Sequence, residues 1–458
     1  MENKKKQGLF KAAIAVTVVL LLSTGCKKFL NVRPSTTAVN PTTISDFREM
    51  LNMDSLALCT FTIADMISDD VRLTDAMVSG QPTVSYTNAW LWAPTIWNPG
   101  DADFMYNSAY SRILQMNIIL SKIDAAQDSA GQKSIVRAQA QINRAWYYLV
   151  LANLYGWDYQ AGTATASLAV PLVLSPDANV LPARATVQAV YDQVLQDLLA
   201  AVAAPGLPGM GATIVQPGRA AGFGLLATTY LYMGNYQQAE TAADSALAIR
   251  NTLWNYNTSY FKPSNLLDLS QNPEILLGRL CSDYYFYTLY NGPFYISPSL
   301  DSLLGSNDTR FTRNFNSGGD YTTSNGSYQV FNYSVTTPAV LLIKAECMAR
   351  RGDAADAIGL LNQLRQNRLI NYTPLAGNVD ALTEVLKERR RELFFHGGSR
   401  LFDLKRLNRD SRFAQILQRV ADDGVSVVAT LAPGSPRYLM PFAPTIVANN
   451  PNIVQNAR

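Results

Sequence analysis

The feature that most limits the possible folds of this chain is the spacing of apolar side chains in residues 134–156. Small and apolar residues recur there every three or four positions, as at Ile135, Ala138, Ile142 and Leu149, and a glycine ends the segment. This spacing places them on one face of an α-helix, and glycine is a common helix terminator. The sequence therefore predicts a long amphipathic helix that buries one face against other elements.

A second helix is predicted over residues 186–204. Thr186 is a favourable N-terminal cap, and Val190, Val194 and Ala201 continue the helical spacing along one face. With two neighbouring amphipathic helices, the body of the protein is expected to be a helix-on-helix structure.

Two later segments each contain a pair of helical patterns separated by a turn dipeptide, and each turn is followed by an alanine. Small residues let two helices cross closely, and these pairs resemble tetratricopeptide repeats. The corresponding positions are Gly234, Asn235 and Ala239 in the first pair and Gly352, Asp353 and Ala357 in the second. We predict a mainly α fold, a tetratricopeptide-like helical-repeat solenoid with long loop and short-strand insertions.

Two irregular regions rich in aromatic residues interrupt these helical patterns. Residues 81–107 contain three tryptophans among prolines and asparagines, and residues 251–337 include the run DYYFYTLYNGPFY at 283–295. The two repeat pairs are too far apart for a contiguous array with a period of about 34 residues. Insertions between repeats usually emerge as loops on one face, so we expect these two regions to form the binding face.

The N-terminus has the pattern of a secretory signal peptide. Lysines at 4–6 and 11 precede an apolar run over 12–22, and small residues lead to Cys26. The run is shorter than the roughly twenty residues needed to span a bilayer, so a retained anchor helix is the weaker interpretation. We expect residues 1–25 to be removed and residues 26–458 to form a single domain. Attachment of lipid at Cys26 is favoured over simple secretion.

Charge and cysteine content exclude several function classes. Residues 1–25 carry four lysines and one glutamate, so the formal net charge of +3 falls to zero in the mature chain. Without a basic surface, nucleic-acid binding is not expected. Cys59, Cys281 and Cys347 are isolated, which favours buried thiols over disulfides. A single histidine and scattered cysteines offer no zinc site, and no cofactor is predicted.

Several segments in the same order resemble the SusD/RagB family of bacterial outer-membrane lipoproteins. They are CKKFLNVRPS at 26–35, NRAWYYLVLANLYG at 143–156, AVPLV at 169–173, RATVQAVYDQVLQDL at 184–198, GRAAGFGLLATTYLYMGNYQQA at 218–239, ERRRELFFHGGSRLFDLKRLN at 388–408 and YLMPFAPTIVANNPNIVQN at 438–456. One departure is His396-Gly397-Gly398-Ser399, which stands where many members carry Glu-Gly before the arginine.

The resemblance implies a surface-facing, non-catalytic binding protein with a body of four helix pairs. Members of this family capture glycan or peptide and deliver it to a SusC-like TonB-dependent barrel transporter. The resemblance also implies outer-membrane localisation through lipid on Cys26. A peptide-binding, RagB-like role is the alternative, and a glycoside hydrolase is less expected.

Aromatic side chains in the two irregular regions are the candidate ligand contacts. An aromatic ring can bury the C–H face of a pyranose while the sugar hydroxyls remain hydrogen-bonded, and several rings are needed for useful affinity. Burial under the loop is the alternative for the tryptophans, and a half-buried strand is the alternative for the tyrosines, of which about two are expected to reach ligand. The candidates are Trp90 and Trp92, which match a Trp-x-Trp pair in glycan-binding relatives, together with Trp97, Asn98, Tyr284, Tyr285, Tyr287 and Tyr290.

Charged and polar motifs elsewhere have structural explanations that we favour over catalysis. The segment 388–406 is expected to contain ion pairs that fix helix ends. HGGS at 396–399 is similar to the oxyanion tetrapeptide of some esterases, but no Gly-x-Ser-x-Gly elbow accompanies it. Asp101 and Asp103 could orient sugar hydroxyls or hold calcium, although solvated loop residues are the more common case.

Overall fold

A computed structural model describes residues 41–80, 84–177, 179–258, 269–281, 295–314 and 332–458, and helices account for most of them. The helices, in chain order, are α1 (Ile44–Leu51), α2 (Thr62–Ile67), α3 (Asp75–Gly80), α4 (Val84–Trp90), α5 (Phe104–Lys122), α6 (Ala130–Tyr155), α7 (Val187–Val202), α8 (Arg219–Met233), α9 (Tyr236–Ile249), α10 (Pro298–Leu304), α11 (Thr309–Asn314), α12 (Thr337–Arg351), α13 (Ala354–Arg365), α14 (Ala381–Glu392), α15 (Ser399–Leu407) and α16 (Pro444–Asn449).

The strands are short, and each pairs with one other strand. They are β1 (Leu58–Cys59), β2 (Val71–Arg72), β3 (Leu168–Pro171), β4 (Arg184–Thr186), β5 (Ile275–Leu277), β6 (Leu280–Cys281), β7 (Tyr295–Ile296), β8 (Val335–Thr336), β9 (Leu417–Val420) and β10 (Val427–Leu431). Strand β1 pairs in parallel with β6, whereas β2–β7, β3–β4, β5–β8 and β9–β10 are antiparallel. Strands of two to five residues serve to fix loops, since they are too short to form a layer of their own.

Helix α6 is the long amphipathic helix predicted from the sequence. The Ser129 hydroxyl caps its N-terminus, and Gly156 follows its last residue. Lys405 satisfies carbonyls at the C-terminal end, because its Nζ donates to the backbone oxygens of Asn153 (2.7 Å) and Gly156 (2.6 Å). The helix packs between α5 and α7.

The helix pairs predicted as repeats are present. Gly234 ends α8 with a φ of 75°, and Gly352 ends α12 with a φ of 102°. Both values lie in the left-handed region that glycine adopts without strain, which allows each chain to reverse sharply into α9 or α13. Helix α9 packs directly on α12, so the two pairs are neighbours in space although residues 250–336 separate them in sequence.

Small residues make the close helix crossings possible. A Cβ atom at Gly222 would lie 2.6 Å from the side chain of Val202, and one at Gly224 would lie 2.9 Å from Val335. Larger side chains would force the helices apart at these positions. The contacts α5–α6, α6–α7, α7–α8, α8–α9, α9–α12 and α12–α13 form one continuous series, which confirms the mainly α, tetratricopeptide-like fold.

The described parts of the two irregular regions contain more regular secondary structure than the sequence suggested. Residues 81–107 include helix α4 and the start of α5, so the loop proper runs over residues 91–103. Residues 251–337 contain β5 to β8 and helices α10 and α11. Cys59, Cys281 and Cys347 are buried free thiols, as predicted. Within the described residues, none of the helices has the length and apolar character needed to cross a bilayer.

Candidate functional site

Trp90 and Trp92, which the sequence suggested as ligand contacts, are buried. Trp90 is 2% exposed and Trp92 is fully enclosed. Their indole N–H groups donate hydrogen bonds to the backbone carbonyls of Val71 (2.9 Å) and Ile67 (2.7 Å). The structure therefore contradicts their assignment as ligand contacts and supports the alternative, burial beneath the loop.

Arg419 of strand β9 accounts for the Trp-x-Trp pattern. Its guanidinium carbon lies 4.8 Å from the ring centroid of Trp90 and 4.2 Å from that of Trp92. A cation over an aromatic face is attracted by the ring quadrupole, and the attraction is strongest when both groups are desolvated. Trp92 has a φ of 50°, an uncommon conformation for a bulky residue, which the surrounding contacts must maintain.

The same guanidinium is also hydrogen-bonded to backbone. It donates to carbonyls of Met66 (2.8 Å), Ser68 (2.6 Å), Val71 (3.2 Å) and Trp90 (2.8 Å). Burial lowers the pKa of Arg419 to about 9, although nearby carboxylates act in the opposite direction. We call Trp90, Trp92 and Arg419 the tryptophan clamp. It joins β9 to residues 66–71, and no sequence spacing linked Arg419 to the two tryptophans.

Residues 58–72, which we call the anchor segment, connect both aromatic regions to the helical body. Strand β1 of this segment pairs with β6 and β2 pairs with β7, so Cys59 lies beside Cys281 and Val71 beside Ile296. Residues 282–294 run between those two partner strands. The tryptophan clamp contacts the same segment. Both aromatic regions therefore depend on one short stretch of chain for their position.

Trp97 and Asn98 lie on the loop that follows the clamp. Trp97 is half-buried, and its indole N–H donates to the carbonyl of Pro441 at 2.7 Å. Asn98 is exposed, and its backbone N–H donates to Asp101 Oδ2 at 2.7 Å. Phe104, the first residue of α5, is 64% exposed. Phe104 therefore exposes more ring surface than the buried tryptophans. The sequence signal that could have identified it is its position directly after Asp103, the residue that caps helix α5.

The remaining predicted site residues cannot be compared with the structure. Tyr284, Tyr285, Tyr287 and Tyr290 lie outside the described residues, as does the predicted lipid attachment site Cys26. Tyr295, the residue that follows this stretch, is half-buried with the guanidinium of Arg72 5.3 Å from its ring centroid.

Asp103 is buried and satisfied within the protein. One of its oxygens accepts from the backbone N–H of Tyr106 (3.0 Å) and the other accepts from the Tyr155 hydroxyl. Burial raises the pKa of Asp103 to about 6. The carboxylate caps helix α5, so it positions the loop of residues 91–103 from below. Among the described residues, the structure brings together no group of three metal-ligating side chains.

The HGGS segment has a structural explanation. Gly397 and Gly398 have φ angles of 60° and 87°, and a Cβ at Gly398 would lie 2.9 Å from that of Ala64. The Gly398 N–H donates to the buried carboxyl group of Asp65 at 2.9 Å. Burial raises the pKa of Asp65 to about 8, against the lowering effect of that hydrogen bond. The two glycines let the chain approach α2 closely.

His396 and Ser399 do not form a nucleophile and base. The Ser399 hydroxyl donates to the His396 carbonyl at 2.7 Å, and His396 Nε2 lies 2.8 Å from the Ser334 carbonyl, to which it donates. Burial lowers the pKa of His396 to about 4, so the ring is neutral at pH 7. Because the hydroxyl does not face the imidazole, this arrangement cannot activate Ser399.

Helix α14 carries the ion pairs predicted for the ERRRE sequence. Glu388 pairs with Arg310 at 2.7 Å, Arg389 with Asp403 at 2.7 Å and Arg390 with Asp70 at 2.8 Å. Successive helical residues point about 100° apart, so three adjacent side chains reach three different neighbours. Burial alone would raise the pKa of Glu388, but the surrounding arginines lower it to about 2. The predicted ion pairing of this segment is confirmed.

Comparisons with known proteins agree with this architecture. A family model described as "Starch-binding associating with outer membrane", SusD-like, matches residues 28–231, and the SusD family model matches residues 337–458. The two matches together cover more than two thirds of the chain. The chain belongs to the SusD/RagB family.

Solved structures with a SusD-type fold resemble the protein over most of its length. A SusD superfamily protein from Bacteroides thetaiotaomicron has a TM-score of 0.70 at 21% identity and covers 91% of this chain and 100% of its own. A putative sugar binding protein from Bacteroides vulgatus has a TM-score of 0.71 at 21% identity, covering 92% and 99%. A laminarin binding SusD-like protein has a TM-score of 0.60 at 18% identity, covering 91% and 99%.

At these identities the structural likeness establishes the SusD fold alone. A search of curated protein sequences found no match. The second family match includes both the ERRRE segment and the C-terminal segment that resembled the family in the sequence.

Proposed function

We propose that this SusD/RagB protein is a non-catalytic, lipid-anchored subunit that binds glycan and passes it to a SusC-like TonB-dependent transporter. The observation that carries the proposal is the anchor segment, which pairs with the two strands, β6 and β7, that flank residues 282–294 in the chain. A binding surface with fixed ends loses less conformational entropy when a ligand binds.

The printed descriptions of related proteins support carbohydrate as the ligand class. The family model that matches the N-terminal half is described as starch-binding, and two structural relatives are described as sugar-binding and laminarin-binding. Laminarin and starch are both chains of pyranose rings, and stacking on aromatic rings suits either of them. We therefore propose an oligosaccharide or polysaccharide ligand.

The proposed contacts come from two places. From residues 282–294 we propose Tyr284, Tyr285, Tyr287 and Tyr290. From the loop before α5 we propose Trp97 and Asn98, and we add Phe104 because of its exposed ring. We do not propose the buried residues Trp90 and Trp92 as ligand contacts. Their proposed role is to support the loop that carries Trp97.

Binding measurements on purified mature protein test this proposal. Isothermal titration with laminarin-type, starch-type and other oligosaccharides, and with a panel of short peptides, should give saturable heat with at least one glycan and none with peptides. Saturation with peptides alone would favour the RagB-like alternative. Absence of released sugars after prolonged incubation is expected, and their appearance would overturn the non-catalytic assignment.

Paired variants test the contact residues. The double variant Tyr284→Ala with Tyr285→Ala and the single variant Phe104→Ala should each weaken glycan binding, because each removes a ring on which a sugar can stack. Each stacked ring contributes on the order of 1 kcal/mol, so a loss of about fivefold per ring is expected. Phe394→Leu is a matched control, since it changes a half-buried ring outside the two aromatic regions, in the ERRRELFF segment.

The membrane and transporter parts of the proposal have their own tests. Cys26→Ser should move the protein from the outer-membrane fraction to the soluble fraction, and mass spectrometry of the unaltered protein should find lipid on Cys26. More than one acyl chain is needed for stable attachment. Affinity purification from membranes should recover a barrel transporter, and recovery without one would argue against the proposed partner.

A further inference from the structure

Two arginines in the last part of the chain have no acidic residue near them in the sequence. Residues 424–458, which we call the tail segment, contain no aspartate or glutamate, and their charged side chains are Arg437 and Arg458. Buried arginines elsewhere in the protein, such as Arg310 and Arg389, are paired with carboxylates. The tail segment therefore carries positive charge that its own sequence does not neutralise.

The tail segment lies against the loop of residues 91–103, which carries two of the proposed glycan contacts. The Trp97 indole N–H donates to the Pro441 carbonyl at 2.7 Å. The Thr445 hydroxyl donates to the Asp101 carbonyl at 2.9 Å. The charges of the tail segment are thus part of the surroundings of this loop.

The side chain of Arg458 joins the tail segment to the start of the loop. Its Nε donates to the Ala93 carbonyl at 3.0 Å, and its Nη1 donates to the Leu439 carbonyl at 2.8 Å. Its Nη2 has no hydrogen-bond partner among the described residues. Burial and, to a lesser extent, the neighbouring Arg437 guanidinium lower the pKa of Arg458 to about 10. The protein therefore holds this guanidinium in place without balancing its charge.

Arg437 is the second positive charge at this place. It is half-buried and precedes Leu439, which accepts from Arg458, by two residues. Its backbone N–H donates to Ser435 Oγ at 3.3 Å, whereas its guanidinium has no hydrogen bond or ion pair within the part of the chain that the structure describes. Two like charges held close together repel each other, so an anion that reaches both would be stabilised.

The carboxylates of the adjacent loop do not supply that anion. Asp101 Oδ2 accepts from the backbone N–H of Asn98 at 2.7 Å. Asp103 is buried and accepts from the Tyr106 backbone N–H and from the Tyr155 hydroxyl. Both acidic side chains of the loop are therefore engaged within the loop or beneath it.

We propose that Arg437 and Arg458 form an anion subsite for a glycan with acidic sugars, whose charge comes from a uronate carboxylate or a sulfate ester. This inference rests on the proposed glycan-binding function and names its ligand class. Arg437 makes the direct contact, and Arg458 adds a second positive charge behind it. The planar N–H groups of a guanidinium match the oxygens of either anion, while the ring of Trp97 can cover part of a sugar face.

Isothermal titration of the mature protein with matched pairs of oligosaccharides tests the subsite. Oligogalacturonate is compared with its methyl ester, and a sulfated galactan oligosaccharide is compared with its desulfated form. At low salt, the acidic member of at least one pair should bind about tenfold more tightly than its neutral counterpart. This preference should shrink at high salt, because salt screens charges near the surface. The pair that responds identifies the anion as carboxylate or sulfate.

Variants of Arg437 show whether the preference arises at this site. Arg437→Gln should weaken binding of the preferred acidic oligosaccharide by about tenfold and leave binding of its neutral counterpart unchanged. Arg437→Lys keeps the charge and should restore part of the affinity. Arg250→Gln is the matched control, because Arg250 is another half-buried arginine without an ion pair among the described residues, at the end of α9.

The outcomes separate this inference from the glycan proposal. Equal affinity within both pairs, binding confined to neutral glycans, or an acidic preference that Arg437→Gln leaves unchanged would overturn the anion subsite while glycan binding stands. Absence of binding to every glycan would overturn both.

Discussion

Truncation of Trp92 tests the reassignment of the Trp-x-Trp pair from ligand contact to structural clamp. Trp92→Ala removes a fully enclosed indole, a change that typically costs about 3–5 kcal/mol of unfolding free energy. It also leaves the Ile67 carbonyl without its 2.7 Å donor, at about 1 kcal/mol, and removes one of the two rings that contact Arg419. These contributions overlap, so we expect a total loss of about 3–5 kcal/mol.

Urea unfolding followed by circular dichroism measures this loss. Trp92→Phe is the informative comparison, because it keeps a ring over Arg419 but removes the indole N–H, and it should cost less than half as much. Trp97→Ala is the second control. Trp97 is half-buried, so we expect a cost of about 1–2 kcal/mol, with weaker glycan binding as its main effect.

The result that refutes the clamp is specific. If Trp92→Ala lowers the unfolding free energy by less than about 1.5 kcal/mol at an unchanged urea dependence, the ring does not support the fold as described. Loss of glycan affinity in a Trp92→Ala sample that keeps the full unfolding free energy of the unaltered protein would restore the original ligand assignment.

Three further predictions concern the segments that meet beneath the aromatic loops. Gly398→Ala should lower the unfolding free energy by about 2–4 kcal/mol, because it combines a φ of 87° with a Cβ 2.9 Å from Ala64. Gly424→Ala, with a φ of 73° and open space around the new Cβ, should lower it by about 1 kcal/mol, and thermal unfolding compares the two variants. The pKa of Asp65 is raised from 3.8 to about 8, so the folded state keeps a proton that the unfolded chain releases. The resulting stabilisation is present below about pH 4 and is lost as the pH rises through 8. Asp65→Asn should flatten that decline, and an equal change in unfolding free energy between about pH 5 and pH 8 in both proteins would contradict this prediction. Lys405→Met should lower the unfolding free energy by about 2–4 kcal/mol, since two carbonyls at the end of α6 lose their donor. Amide hydrogen exchange should become faster in the last turn of α6, and unaltered exchange there would count against this role of Lys405.

The helical body was predictable because its determinants are local. Apolar spacing identified α6 and α7, and the glycine turns at Gly234 and Gly352 identified two repeat pairs. Cap residues such as Thr186 fix the start of a helix through a hydrogen bond to a residue three positions later, so they can be recognised in the sequence.

The burial of Trp90 and Trp92 was not predictable from nearby residues. Arg419, their partner, lies more than three hundred residues away in the chain, and a Trp-x-Trp pair in an irregular region looks the same whether it faces solvent or core. The pairing of β1 with β6 also joins residues that lie far apart in the chain. Composition indicated which parts of the chain are rich in aromatic residues, but long-range contacts decide which of the described rings are covered.

The ion pairs of α14 show an intermediate case. The sequence ERRRE indicated pairing, but its partners Asp70, Arg310 and Asp403 come from three separate parts of the chain. Local sequence therefore predicted the kind of interaction and left its partners open.

The two strand pairs that end at Cys281 and Tyr295 bear on how such a protein diversifies. Because β1 and β2 fix both termini of residues 282–294, a longer or shorter stretch changes the closure entropy by only about 0.6 kcal/mol for each doubling of its length. The sequence and length of these thirteen positions can therefore vary while the two flanking strand pairs keep their partners in the anchor segment.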